Sequence, residues 1–316
     1  MKKIVVDILG ADAGAGVLAK GAIAALADQE EFDLIMVGPE DIIKKEIESA
    51  GDGSLSGRIE IINNNEAFTN HDNPNKMALG ENNTSMAVAM TLLKEREDAV
   101  GLVSAGSTGG LMVASIFRLG LYHGLMQPAL SCALYNIKGG FFCLADCGAN
   151  INCKPGDLVK YAHMGSVFMS AMNGVDNPAV GLMNVGREEG KGTDLQKEVW
   201  TALSNDEKVN FIGNIEGSDC LSGEADVIIC DGFTGNVILK TLEAAGMTAA
   251  KMMGDPDKVV KFFDYNGQGG ATFLGTRKII VKAHGAANWH TMKSCVEQVW
   301  KMENGGFTSK MAEAME

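Results

Sequence analysis

The chain reads as a mostly parallel β-sheet layered between helices, a three-layer α/β/α fold. Short apolar runs recur along its 316 residues, many of them apolar throughout, as strands covered on both faces require. Segments with helical spacing fall between these runs, and βα alternation builds parallel sheets. Glycine is abundant at 39 residues while proline is scarce at 6. That bias suits many tight strand-to-helix turns.

In chain order, strands are expected at Ile4–Ile8, Leu34–Val37, Ile59–Ile62, Val100–Val103, Ser131–Leu134, Phe141–Ala145, Val180–Met183, Asn210–Ile212, Val227–Cys230 and Lys278–Lys282. Ahead of the fourth, Met86, Ala89, Met90 and Leu93 share one helical face behind the capping candidates Asn82 and Asn83. Thr193-Asp-Leu-Gln196 is a capping box, with Leu195, Val199 and Leu203 as the stripe behind it. After the last strand, Trp289, Met292, Val296, Val299 and Trp300 repeat at helical spacing. No Pro/Ser-rich linker marks a boundary, so residues 1–316 are expected to form one α/β domain.

Hydrophobic residues make up 46% of the chain and charged residues 21%, which excludes a disordered or collagen-like protein. The net charge is −13, from 27 Lys and Arg against 40 Asp and Glu. A nucleic-acid partner is therefore not expected, nor attachment to an anionic membrane by charge alone. The longest uncharged stretch, Ala99 to Phe117, is broken by Gly101, Ser104, Gly106, Ser107, Thr108, Gly109 and Gly110. It reads as strand, turn and helix, not as a membrane span. Met1–Asp7 reads as a strand instead of a signal peptide. Seven cysteines without a CxxC pair point to reduced thiols in a cytoplasm, with neither a disulfide framework nor a zinc site. The 18 methionines lie on helix faces and read as core filler.

Polar residues and glycines collect where apolar strands end: Ser104–Gly110, Asp146–Asn150, Asn184–Gly192, Asn214–Gly217 and Asp231–Asn236. In a parallel sheet such turns share the carboxyl edge, where ligands bind. Helix N-termini there favour an anion, phosphate above all. Ser104–Gly110 is neither a Walker loop nor GxGxxG, and by itself equally suits a plain strand-to-helix turn. Gly186–Gly192 sets Glu188, Glu189 and Lys191 between glycines just before the capping box. A lysine there opposes the helix dipole but suits an anionic ligand; the alternative is a solvated charge run. Asn236 would either cap a helix or bind a carbonyl or phosphate oxygen. His284, at the end of the last strand, is either structural or an acid/base group. Cys132, Cys143, Cys230 and Cys295 read as packed thiols, leaving Cys147 and Cys153 as those of chemical interest.

Taken together, Val6-Asp7 with Gly10 and Asp12, Ser85-Met86, Ser104–Met112, Asp146–Asn150 with Cys153-Lys-Pro155, Met164-Gly-Ser166, Asn184–Gly192, Phe211–Gly217, Asp231–Val237 and Lys282–Gly285 resemble, in this order, the phosphate acyltransferase (PlsX) family of bacterial phospholipid synthesis. The likeness covers nearly the whole chain. It implies an α/β fold similar to isocitrate/isopropylmalate dehydrogenases and phosphotransacetylases, a homodimer, and no organic cofactor or metal. The implied reaction converts acyl-(acyl carrier protein) and inorganic phosphate to acyl phosphate, destined for a membrane glycerol-3-phosphate acyltransferase. The implied place is the cytoplasm, with peripheral membrane contact.

By the same resemblance Lys191 and Asn236 are the catalytic pair, with backbone amides around Gly106, Gly109 and Gly235 completing the cradle. Phosphate and substrate contacts fall to Asp7, Ser104, Gly106, Ser107, Thr108, Gly109, Asn150, Asn184, Gly190, Asn214, Glu216, Asp231, Thr234, Gly235 and His284. The chain departs from the family pattern at Leu9-Gly-Ala-Asp12, at Ser107 in place of asparagine, at Met77–Asn83 in place of a basic run, and in a shorter stretch from Thr241 to Phe262. Short-chain phosphotransacetylase-like chemistry and a non-catalytic carrier-binding scaffold stay open as alternatives. A dehydrogenase has the least support, for want of a dinucleotide fingerprint.

Overall fold

The computed structural model describes residues 1–51, 53–78, 82–253 and 269–315; of the segments singled out above, 79–81 and 254–262 lie outside these. Among the described residues the strands are β1 (Lys2–Asp7), β2 (Phe32–Gly38), β3 (Ile59–Asn63), β4 (Ala99–Ser104), β5 (Ala129–Tyr135), β6 (Phe141–Ala145), β7 (Ala179–Met183), β8 (Asn210–Ile215), β9 (Val227–Ile229), β10 (Ala271–Leu274) and β11 (Ile279–Lys282). The α-helices are α1 (Ala15–Ala27), α2 (Glu40–Ser49), α3 (Ser85–Glu95), α4 (Thr108–Ala114), α5 (Pro155–Asn173), α6 (Asp194–Ser204), α7 (Gly232–Met252), α8 (Trp289–Asn304) and α9 (Phe307–Met315). The chain packs as two compact units, each built from two stretches.

The first unit comprises Met1–Tyr122 and Asn266–Glu303, with strand order β3-β2-β1-β4-β11-β10. All neighbours run parallel except β10 and β11. Ile4, Val5 and Val6 of β1 are wholly buried, as are Leu34 to Val37 of β2. These are the continuous apolar strands that a doubly covered parallel sheet demands. The α3 stripe Met86, Ala89, Met90 and Leu93 is buried as expected. Its cap is different. Thr84 holds the N-cap position, and Asn82 Oδ1 accepts from the amide and hydroxyl of Thr84 at 3.0 and 2.7 Å. The asparagine makes a local turn before the helix, a competition with capping that short amide side chains readily win.

Strand β10 was not expected from the sequence. Four residues carry too little periodicity to announce a strand, and its stability comes from a distant side chain. The buried Gln298 of α8 accepts from the Gly270 amide at 2.7 Å and donates to the Gly270 carbonyl at 3.2 Å and the Thr272 hydroxyl at 2.9 Å. Met292, Cys295, Val296 and Val299 of α8 are buried, while Trp289 and Trp300 are half-buried at its ends.

The second unit comprises His123–Tyr265 and Asn304–Glu316, with strand order β5-β6-β9-β7-β8. Only the β5–β6 pairing is antiparallel. Helix α5 buries Leu158, Met164 and Phe168, and α9 packs on it with Phe307 and Met311 buried. The Thr193 capping box forms, with the Thr193 amide donating to Gln196 Oε1 at 3.1 Å. In each unit the parallel strands end at one edge, so their following turns converge there. No helix among the described residues is long and apolar enough to cross a membrane.

Replacing Gln298 by leucine strands the Gly270 amide and carbonyl in the core. Gln298→Leu is expected to lower stability by about 2–4 kcal/mol, measured by urea unfolding; a change under about 0.5 kcal/mol would mean that the Gly270 contacts do not hold β10.

Candidate active site

In the first unit, Asp7 ends β1 and Ser104 ends β4, side by side in the register. The Ser104 hydroxyl donates to Asp7 Oδ2 at 2.8 Å and accepts from the Gly106 amide at 3.1 Å, and the Leu9 amide donates to Asp7 Oδ1 at 3.2 Å. Burial pushes the Asp7 carboxyl up to about 6, against the pull of these donors. Gly10 has φ +90°, and a Cβ there would sit 2.8 Å from Gly106 Cα. Only glycine lets the two turns touch. The Ala283 amide donates to the Ser104 carbonyl at 2.9 Å, which brings the β11 turn beside them. There the half-buried His284 accepts from the Ala286 amide through Nδ1 at 3.2 Å. Ser107 caps α4, accepting from Gly110 at 3.4 Å, with Thr108 and Gly109 opening that helix.

In the second unit, Asp146 follows β6 and is wholly buried. Its carboxylate accepts from the amides of Leu130, Gly148, Ala149 and Asn150 at 3.3, 2.9, 2.9 and 2.7 Å, and from Asn150 Nδ2 at 2.7 Å. Burial raises its pKa and these donors oppose the rise. Asn150 Nδ2 also donates to the Pro128 carbonyl at 2.9 Å. Helix α7 is seated directly on this turn. A Cβ on Gly235 would lie 1.9 Å from the Asp146 carbonyl, so Gly235 serves close approach. Asp231, not Asn236, caps the helix: it accepts from the amide and hydroxyl of Thr234 at 2.9 and 2.8 Å. Asn236 lies a turn further on and donates to the Cys147 carbonyl at 3.2 Å. The aspartate wins the cap because the helix dipole favours a carboxylate there.

The loop from Asn184 to Gly192 is tied down by side chains. Asn184 accepts from the Val185 amide at 2.8 Å and donates to the Lys191 carbonyl at 3.1 Å. Asn214 donates to the Glu188 carbonyl at 2.8 Å. Gly190 is exposed and Glu216 half-buried. Lys191 is half exposed, its Nζ 4.0 Å from the Glu188 carboxylate. A cleft of about 730 Å³ lies between Asn184, Val185 and Gly192 of this loop and Asp231, Phe233 and Thr234 at the start of α7; Lys191 adjoins Gly192 without lining it, and Asn236 lines a separate groove along α7 with Val237, Lys240 and Met252.

The structure thus joins Asp7, Ser104, Gly106 and the His284 turn in one unit, and Asn150, Asp231, Thr234, Gly235 and Asn236 in the other, with Asn184 and Lys191 at the ends of the Asn184–Gly192 loop and Asn214 in β8 beneath it. Asp146 and Arg187 stood in the motifs without being singled out. Arg187 bridges Asp219 and Glu224, each at 2.8 Å; an arginine between glycines carries no sign of partners 32 and 37 residues away. Among the thiols, burial pushes Cys147 and Cys153 up, and Cys295 up to about 12. None of these supplies a thiolate near neutral pH.

The chain matches the family model described as fatty acid synthesis protein over residues 2–262. It is 35% identical to the phosphate acyltransferase of Clostridioides difficile (strain 630), over 96% of this chain and 93% of that protein. It is 36% identical to the phosphate acyltransferase of Bacillus cereus (strain G9842), over 95% and 94%. Among solved structures it resembles a phosphotransacetylase from Streptococcus pyogenes (TM-score 0.65, 15% identity, 96% of this chain and 94% of that one). A branched-chain phosphotransacylase from Enterococcus faecalis V583 is similar too (TM-score 0.63, 13% identity, 96% and 99%). At these identities the structural likeness speaks for the fold.

Asp7 gives a test by pH. Its raised pKa means that its contribution to stability is intact below about pH 4 and is lost as pH rises through 6, a swing of roughly 3 kcal/mol. Asp7→Asn is expected to stabilise the protein by about 1–3 kcal/mol at pH 8 and to confer no gain at pH 4, by urea unfolding at both; equal destabilisation at both would contradict the shift.

Proposed function

The chain belongs to the fatty acid synthesis protein family, that of the phosphate acyltransferase enzymes, and from this premise we propose that it moves the acyl group of an acyl-(acyl carrier protein) onto inorganic phosphate. A phosphate oxygen attacks the thioester carbonyl carbon, the C–S bond breaks, and the proton of hydrogen phosphate ends on the carrier thiol. Phosphate is already nucleophilic near neutral pH, so the site must position it and stabilise charge more than remove a proton.

What supports the placement is the second unit's cleft, lined by Gly192 next to Lys191 on one side and by Asp231, Phe233 and Thr234 of the turn that leads to Asn236 on the other. Lys191, whose Nζ lies 4.0 Å from the Glu188 carboxylate, supplies the positive charge for phosphate and for the developing oxyanion. Asn236 has one amide hydrogen on the Cys147 carbonyl, and the other would donate to the thioester carbonyl. The remaining carboxylates and amides at this edge hold the turns. Exposed Val237, Met247 and Met252 on α7 support a homodimer built on that helix. Cytoplasmic acyl phosphate would then pass to a membrane glycerol-3-phosphate acyltransferase.

Removing one such donor costs a few kcal/mol in the transition state. Lys191→Ala and Asn236→Ala are each expected to lower acyl phosphate formation about a hundredfold or more. The assay compares palmitoyl-carrier protein, palmitoyl-coenzyme A and acetyl-coenzyme A, with and without phosphate. Preference for acetyl-coenzyme A would favour phosphotransacetylase-like chemistry, and binding of the carrier without turnover would favour a scaffold.

A further inference from the structure

Lys191 is exposed, yet the backbone that presents it is held from below and from the side. Three side chains do this. Asn184, at the end of β7, grips the Lys191 carbonyl at 3.1 Å. Asn214, in β8 and 3% exposed, grips the Glu188 carbonyl at 2.8 Å. Arg187, inside the loop, pairs with Asp219 and with both oxygens of Glu224, at 3.1 and 2.8 Å for the latter.

Asn214 is the informative member. Its Oδ1 is buried and meets no donor among the described residues. An orphaned buried acceptor is a cost to the fold, and an apolar residue of similar shape removes that cost while leaving the Glu188 carbonyl, on an exposed residue, to water. A polar group that weakens the fold is explained when its other end does something the fold alone does not need. Here that end fixes the Glu188 carbonyl, three residues before Lys191. Arg187 acts from the other side of the loop: its planar fork binds two carboxylates of the segment after β8 in a defined orientation, which a lysine's point charge does not reproduce.

We propose that Asn214 and Arg187 are positioning residues that set the loop's backbone so that Lys191 meets the phosphate. The inference rests on the role proposed above for Lys191. It assigns neither residue a contact with substrate. A positioning group acts through the group it positions, so its effect vanishes once that group is gone.

The test is a double-mutant cycle on the full chain, with kcat and the KM for phosphate measured for acyl phosphate formation from palmitoyl-carrier protein, and Tm measured alongside. Asn214→Leu is expected to keep or raise Tm while kcat/KM for phosphate falls tenfold or more. Added to Lys191→Ala it is expected to change the residual rate less than twofold. Arg187→Met gives the same pattern from the solvent side, where folding is not at stake, and Arg187→Lys restores only part of the loss. Unchanged kinetics in Asn214→Leu and Arg187→Met would overturn the inference, as would losses that multiply with that of Lys191→Ala. A fall in Tm matching the fall in activity would make Asn214 merely structural. If Lys191→Ala alone were fully active, the catalytic assignment would fail and this inference with it; if Lys191→Ala were slow while the losses multiplied, the inference alone would fail.

Discussion

The Asp146 carboxylate is the constraint from which the second unit's edge is built. Buried without counter-charge, it would be intolerable as an anion; four backbone amides and one side-chain amide make it tolerable. Those bonds close the chain from Asp146 to Asn150 into one rigid turn. The turn in turn dictates where α7 begins. The Gly232 amide donates to the Asn150 carbonyl at 2.8 Å, Gly235 lies against the Asp146 carbonyl, and Asn236 reaches the Cys147 carbonyl. Move the carboxylate and each of these loses its reference point.

The first unit uses the same device with a different outcome. Burial pushes the Asp7 carboxyl up to about 6, against the pull of the Ser85 and Ser104 hydroxyls and the Leu9 amide. In both units, some amides that a glycine-rich turn would offer to a ligand are taken by the protein's own oxygens, the Gly106 amide by Ser104 and the Thr234 amide by Asp231. This shifts the burden of binding an anion from the turns to a cation. On the proposed reading that cation is the half-exposed Lys191, on a loop pinned at its backbone, its Nζ 4.0 Å from the Glu188 carboxylate.

Much of this was legible in the sequence. Continuous apolar strands such as Ile4–Ile8 and the Thr193 capping box are local signals, and both formed. The turns at Ser104, Asp146, Asn184 and Asp231 were placed at strand ends because parallel strands leave them nowhere else. The misreadings were of another kind. Asn82 and Asn236 suit helix caps by residue type, but Asn82 turns back on Thr84 and Asp231 stands closer to the dipole of α7. Strand β10 escaped notice because Gln298, some thirty residues on, makes its bonds. Arg187 escaped for the same reason. Pairings over such separations leave no trace in periodicity or composition.

The central claim is that phosphate is held in the second unit's cleft between the Lys191 loop and the start of α7. A crystal structure of the protein soaked in phosphate tests it most directly. The account predicts a phosphate ion with oxygens about 3 Å from Lys191 Nζ and Asn236 Nδ2. A cleft left empty at saturating phosphate, with the lysine turned to bulk water or the ion bound only elsewhere, would contradict it.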